Sequence, residues 1–282
     1  KDNAVVLLHA GDSDPDHHYE PFNGAKSIAA AANGANGVIF DSIGKIYAWG
    51  DNTYGQLGQN TSGSSSAMLQ AVKKANGESI TNAVAVAAAD NYSLALTADG
   101  IVYAWGDNTY GVMGNGTKGT IQKTAVAVSG VTGDGTLEGI YAIAASPKTA
   151  VAISKDGHVY SWGNNDNGQI GDATYFERLY PVMQRDINNA KAVSAGDGYT
   201  VVQTTSGNMY AWGKNDSGQI GNSTFDEQLV PVAVGANSKL TIRKAGIVTN
   251  TQAGAIVTSA EFEMFSMLEE SDIIEMNEVY SA

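Results

Sequence analysis

Cysteine is absent from the 282 residues. That excludes disulfides, thiolate metal sites and a cysteine nucleophile. Basic residues are scarce: 16 Lys and Arg stand against 29 Asp and Glu, for a net charge of -13. Such a chain repels phosphate backbones, and no local Lys/Arg cluster offsets this, so a nucleic-acid partner is disfavoured. No apolar run reaches the roughly 18 residues that a membrane-spanning helix needs. Proline is rare at 5 residues while glycine reaches 33, which suits many short strands joined by tight turns. Hydrophobic residues make up 43% and charged residues only 16%, the balance of a folded chain. Low Lys/Arg, abundant Asn, Thr, Ser and Gly and the acidic excess lean towards an exported microbial protein, extracellular or at the cell surface. The first residue is Lys1 rather than Met, as expected where a leader or flanking sequence has been removed.

What is present is repetition. "YAWGDNTYG" occurs at residues 47–55 and again at 103–111, and "YSWGNNDNG" and "YAWGKNDSG" follow from Tyr160 and Tyr210. Trp49, Trp105, Trp162 and Trp212 are therefore spaced by 56, 57 and 50 residues. One Trp per unit at such a period signals a radial array or a solenoid. Within the second unit, "YSLALTADG" runs straight into "IVYAWG", an apolar run, Asp-Gly and a second apolar run, which predicts a hairpin. An Ala-rich strand precedes it and "TAVAV" follows after a loop. Four antiparallel strands per unit define a β-propeller blade, so the fold class is all-β.

Side chains alternate along a strand, so Tyr103 and Trp105 share one face and Val102 and Ala104 the other. Both faces are apolar because each blade packs between two others. Each Trp ring is expected to need a small partner on the next blade, and Ala48, Ala104, Ser161 and Ala211 would leave that room. Gly50, Gly106, Gly163 and Gly213 let the strand bend out after the Trp. These eight Trp and Gly residues are thus structural repeat positions. Ala-rich inner strands belong where strands crowd at the axis and argue against a wide central channel.

Blades are expected at about 26–73, 82–128, 139–184, 190–234 and 240–268. In the fifth, Phe265 aligns with Tyr210 and Met267 takes the place of Trp212. That unit lacks an outer strand, and the N-terminal stretch "AVVLLHA" at residues 4–10 could supply it. The expectation is one five-bladed propeller over residues 1–268, closed by the N-terminal strand, with residues 269–282 as a tail or assembly segment. A fragment of a longer ring is the alternative.

"GHVYSWGNNDNGQIG" and "GNMYAWGKNDSGQIG", with "GQLG" in the first blade and "GVMG" in the second, resemble the regulator-of-chromosome-condensation repeat family. The resemblance implies a β-propeller. It implies no single function, since that family includes exchange factors for a small GTPase, ubiquitin-ligase modules and secreted β-lactamase inhibitors. The shared theme is protein binding by loops at a propeller face.

No nucleophile elbow, phosphate loop or dinucleotide fingerprint occurs, so neither an enzyme nor a cofactor is expected. Asp12, Asp14 and Asp16 alternate like the start of a calcium loop, but Pro15 interrupts them and the turn Gly and twelfth-position Glu are missing, so no metal is expected. In the loops after the Trp strands, Tyr175, Phe176, Arg178 and Phe225 are the residue types that dominate binding hot spots. In the tail, Ile273, Ile274, Met276 and Tyr280 are candidate self-assembly contacts. A protein partner is therefore expected, either another copy in a filament-like assembly or a captured target. Chelation with EDTA is expected to leave the melting temperature unchanged, and a fall of many degrees would reassign Asp12, Asp14 and Asp16 as metal ligands.

Overall fold

A computed structural model describes residues 24–31 and 34–235. The N-terminal strand at 4–10, Asp12, Asp14 and Asp16, the fifth unit and the tail with Ile273, Ile274, Met276 and Tyr280 lie outside the described residues. The rest forms four sheets of four antiparallel strands. Blade one holds β1 (Ser27–Ala30), β2 (Asn36–Phe40), β3 (Ile46–Gly50) and β4 (Ser66–Ala71). Blade two holds β5 (Ala83–Ala88), β6 (Tyr92–Thr97), β7 (Val102–Asp107) and β8 (Ile121–Ala127). Blade three holds β9 (Ile140–Ala145), β10 (Thr149–Ser154), β11 (Val159–Gly163) and β12 (Arg178–Met183). Blade four holds β13 (Ala190–Gly196), β14 (Tyr199–Thr204), β15 (Met209–Gly213) and β16 (Gln228–Ala233). Strands within each blade follow chain order, and β1, β5, β9 and β13 neighbour one another in turn.

Turn chemistry sets each hairpin. Between β6 and β7 the Gly100 N–H donates to Thr97 O, and Gly100 sits at φ +85°, a conformation that costs a residue with a Cβ. The outer pairing breaks register at each Trp, for instance between Ala104 and Gly106. This bulge turns the chain out of the sheet at Gly50, Gly106, Gly163 and Gly213, whose φ values lie between +99° and +110°.

The core lies between blades. Trp105 of blade two is fully buried in one cluster with Val38, Phe40, Ile46 and Ala48 of blade one. Val102 and Ala104, on the opposite side of the same strand, pack with Trp162 of blade three. Each ring thus rests against the small residue of the preceding blade, not the following one as the sequence reading has it. The reason is a hydrogen bond. A buried indole N–H must find an acceptor, and the preceding blade presents a turn carbonyl. Trp105 Nε1 donates to Gln56 O at 2.8 Å, Trp162 to Val112 O at 2.7 Å and Trp212 to Gln169 O at 2.9 Å. A Cβ on Gly171 would stand 2.7 Å from the Trp212 Nε1, so the last Gly of "GQIG" is the floor on which the indole lies.

Three backbone contacts run parallel to these joints. The Asn60, Gly116 and Ala173 amides each donate to an outer strand of the following blade, at Lys123 O, Leu179 O and Leu229 O. Substituting Trp105→Ala is expected to cost about 3–5 kcal/mol, the range for emptying a large aromatic site. Trp105→Phe should lose less, because the ring volume is largely kept. Equal losses in chemical denaturation would show that ring packing does not hold the joint.

Candidate protein-interaction face

Antiparallel order puts the turns between first and second strands and the long loops between third and fourth strands on one face of every blade. These loops cover residues 51–65, 108–120, 164–177 and 214–227. A buried Asn anchors each: Asn52, Asn108, Asn165 and Asn215. Asn165 Oδ1 accepts from the Ile170 N–H at 2.9 Å, while its Nδ2 donates to Thr174 O at 2.8 Å and Phe176 O at 3.1 Å. Asn215 repeats this on Ile220, Thr224 and Asp226. One side chain thereby ties the turn that receives the indole to the loop that faces solvent. The recurring W-G-x-N is its signal, which the sequence reading did not single out.

On this frame the loop tips differ. Phe176 and Phe225 are each 72% exposed and stand in the loops of adjacent blades. Tyr175, 53% exposed, donates its hydroxyl to Glu227 Oε2 of blade four at 3.3 Å. One blade earlier, Lys118 reaches Glu177 of blade three in the same way. Lys118, Tyr175 and Phe225 occupy equivalent loop positions, one after each recurring Thr, and the first two link to the following blade. Arg178 turns inward instead. Its Nε donates to Asp172 Oδ2 at 2.6 Å and its other nitrogen lies 2.5 Å from the same oxygen, so the guanidinium braces its own loop. The structure thus brings Tyr175, Phe176 and Phe225 to one solvent-facing surface and places Arg178 beneath it.

Burial opposes ionisation of Asp172, yet hydrogen bonds from Thr174 and Arg178 and the guanidinium charge outweigh it and hold the carboxyl below its ordinary value of 3.8. A depressed carboxyl stabilises the fold above its unfolded pKa, and that contribution is lost as pH falls through the lower folded value. Among the described residues no group of three or more His, Asp or Glu could hold a metal. None forms a helix long and apolar enough to cross a membrane.

Four-stranded blades whose three joints are each locked by one Trp define a β-propeller repeat protein. The regulator of chromosome condensation (RCC1) repeat matches residues 44–96, 99–128, 156–203 and 206–247, and the chain belongs to that family. The human E3 ubiquitin-protein ligase HERC2 is 29% identical over 177 residues, covering 63% of this chain and 4% of HERC2. The zebrafish (Danio rerio) RCC2 homolog is 31% identical over 49% of this chain and 26% of its own length. The Arabidopsis thaliana ultraviolet-B receptor UVR8 is 30% identical over 56% of this chain and 34% of its own. The chain therefore spans about a third or less of these relatives. Among solved structures, human WBSCR16 superposes with a TM-score of 0.65 at 20% identity, covering 77% of this chain and 55% of that one. Yeast RCC1 (Prp20), solved bound to Kap60, gives 0.62 at 21% identity over 76% and 51%. These structural likenesses establish the propeller fold.

Replacing Asp172 by Asn should lower the melting temperature at pH 7, and the gap to the native protein should close as pH falls below about 4. A gap that stays constant down to pH 2 would show that the Asp172 charge does not hold the loop.

Proposed function

We propose that this chain is a non-catalytic protein-interaction propeller, which binds a protein partner through the loop face of blades three and four. The carrying observation is that Phe176 and Phe225 expose large rings on the loops of adjacent blades, loops whose bases are fixed by Asn165 and Asn215. Rigid loops lose little entropy on binding, and buried aromatics dominate interface energy. Relatives support the reading: Prp20 is solved bound to Kap60, and its binding properties to Gsp1p and histones are described. The excess of acidic over basic residues favours a partner with a basic or apolar surface.

The location that goes with this reading is outside the cell or at its surface, as part of an exported, filament-like assembly. Its support is compositional: no cysteine, few basic residues and an abundance of small polar ones. Fractionation of the source cells with an antibody against the chain tests it. Recovery in the surface or secreted fraction is expected, and recovery in the cytosol alone would contradict it.

For the binding face, the partner captured by the native chain should be released by Phe176→Ala combined with Phe225→Ala. Each truncation should cost about 2 kcal/mol of affinity, the scale of an interface hot spot. Both residues are exposed, so the melting temperature should not move. Undiminished capture by the double variant would remove the loop face from the interaction.

A further inference from the structure

Blade one departs from the other three blades in its long loop. After the last Gly of the turn, blades two, three and four carry Asn115, Asp172 and Asn222. The side-chain oxygen of each accepts from the amide and the hydroxyl of the Thr two residues on, which pins the loop locally. Blade one has Gln59 there. Its side chain is one methylene longer and donates instead to Ala71 O on β4. The anchoring Asn also holds this loop less closely. Asn52 Nδ2 lies 3.3 Å from Thr61 O, where Asn108, Asn165 and Asn215 reach the equivalent carbonyl at 2.9, 2.8 and 2.9 Å.

A second departure sits on the outer strand. Opposite Ala104, Ser161 and Ala211 that strand presents Val126, Val182 and Val232, but opposite Ala48 it presents Gln70. Val126 packs into the seam with the following blade. Gln70 instead donates to Ser66 Oγ at 3.1 Å and puts an amide where the other blades have only methyl groups. The two departures meet: Gln59 and Gln70 line one cavity of about 280 Å³ with Asn52, Thr61, Ser64 and Ser66. Leu57, from the seam around Trp105, is its single aliphatic wall. Gln70 stands where Val126 faces the following blade, and the Asn60 amide donates to Lys123 O of blade two. The cavity therefore lies within blade one and towards blade two, away from the side of blade one that no described strand covers.

The lining selects a chemistry. None of its residues is ionisable, so a charged ligand would lose hydration there without gaining a counter-charge. Hydroxyls and carboxamides each donate and accept, which suits a ligand with both functions on neighbouring atoms. The volume falls just below that of a site for drug-sized ligands, so the ligand is small. We propose that this cavity binds one neutral pyranose ring, its hydroxyls on the amides of Asn52 and Gln70 and the hydroxyls of Thr61 and Ser64, its C–H face on Leu57. The ring comes either as free sugar or as the terminal unit of a glycan. The site shares no residue with Phe176 and Phe225, so its failure leaves the partner-binding reading standing.

Titration of the isotope-labelled full chain with methyl glucoside, methyl galactoside and methyl mannoside, followed through amide chemical shifts, tests it. At least one glycoside should give saturable shifts centred on Leu57, Thr61, Ser64 and Gln70, with a Kd of about 1 mM. The amino sugar and the uronic acid of the same ring should bind about tenfold more weakly or not at all. Gln70→Val and, separately, Gln59→Asp give blade one the residues that blade three has at these positions, so the variants are compatible with the fold. Each should weaken binding by about tenfold or more. If one of them does not fold, the other carries the test. Shifts absent with all three glycosides, binding kept by the folded variants, or equal binding of the charged rings overturns the proposal. A neutral oligosaccharide ending in the preferred ring separates the two sources. Tighter binding than the glycoside assigns the site to a glycan terminus, weaker binding assigns it to the free sugar, and both uphold the site.

Discussion

The indole N–H groups of Trp105, Trp162 and Trp212 have to be satisfied inside dry seams between sheets, and most of the architecture answers that requirement. An unpaired buried donor costs about 1–3 kcal/mol. The nearest acceptor is a carbonyl in the turn of the preceding blade, so this turn must come close enough to touch the ring. Close approach removes the Cβ at Gly58, Gly114 and Gly171. The turn must also hold still, which is the work of the buried Asn and of Gln56 and Gln169, whose amides brace it from within. Joint, turn and loop thus form one mechanical unit, copied from blade to blade.

This coupling explains how a repeat protein can vary its surface without losing its fold. The Asn fixes the backbone on either side of the loop tip and leaves the identity of the tip side chain free. Lys118, Tyr175 and Phe225 therefore occupy one position with three chemistries, and none of them disturbs the seam below. In such a scaffold the tips are free to vary while the seams carry the stability. The acidic, cysteine-free composition bears on which partners the tips can meet and says little about the seams.

The parts of this organisation that were legible in the sequence are those with residue-specific requirements. Trp49, Trp105, Trp162 and Trp212 announced the blades by their period, and Gly100 marked a hairpin that needs positive φ. The direction in which each ring reaches was not legible. Its acceptor is a main-chain carbonyl, which any residue provides, and Val112 serves as well as Gln56. Arg178 shows the converse difficulty. Its type suggested a binding anchor, but the carboxylate of Asp172, six residues earlier, claims the guanidinium. A residue's type limits what it can do, while its neighbours in space decide what it does. Phe176 and Phe225 stood out because aromatics dominate binding hot spots, and the structure leaves both rings exposed on their loops.

Four tryptophans give four indole N–H resonances, so proton–deuterium exchange at these sites reads every seam separately. The indole protons of Trp105, Trp162 and Trp212 should exchange orders of magnitude more slowly than a free indole, since each leaves its carbonyl only when a joint opens. Trp49, half-buried, should exchange faster than these three. Rapid exchange at Trp105, Trp162 or Trp212 under native conditions would contradict the claim that the indole-to-turn hydrogen bond holds the blades together.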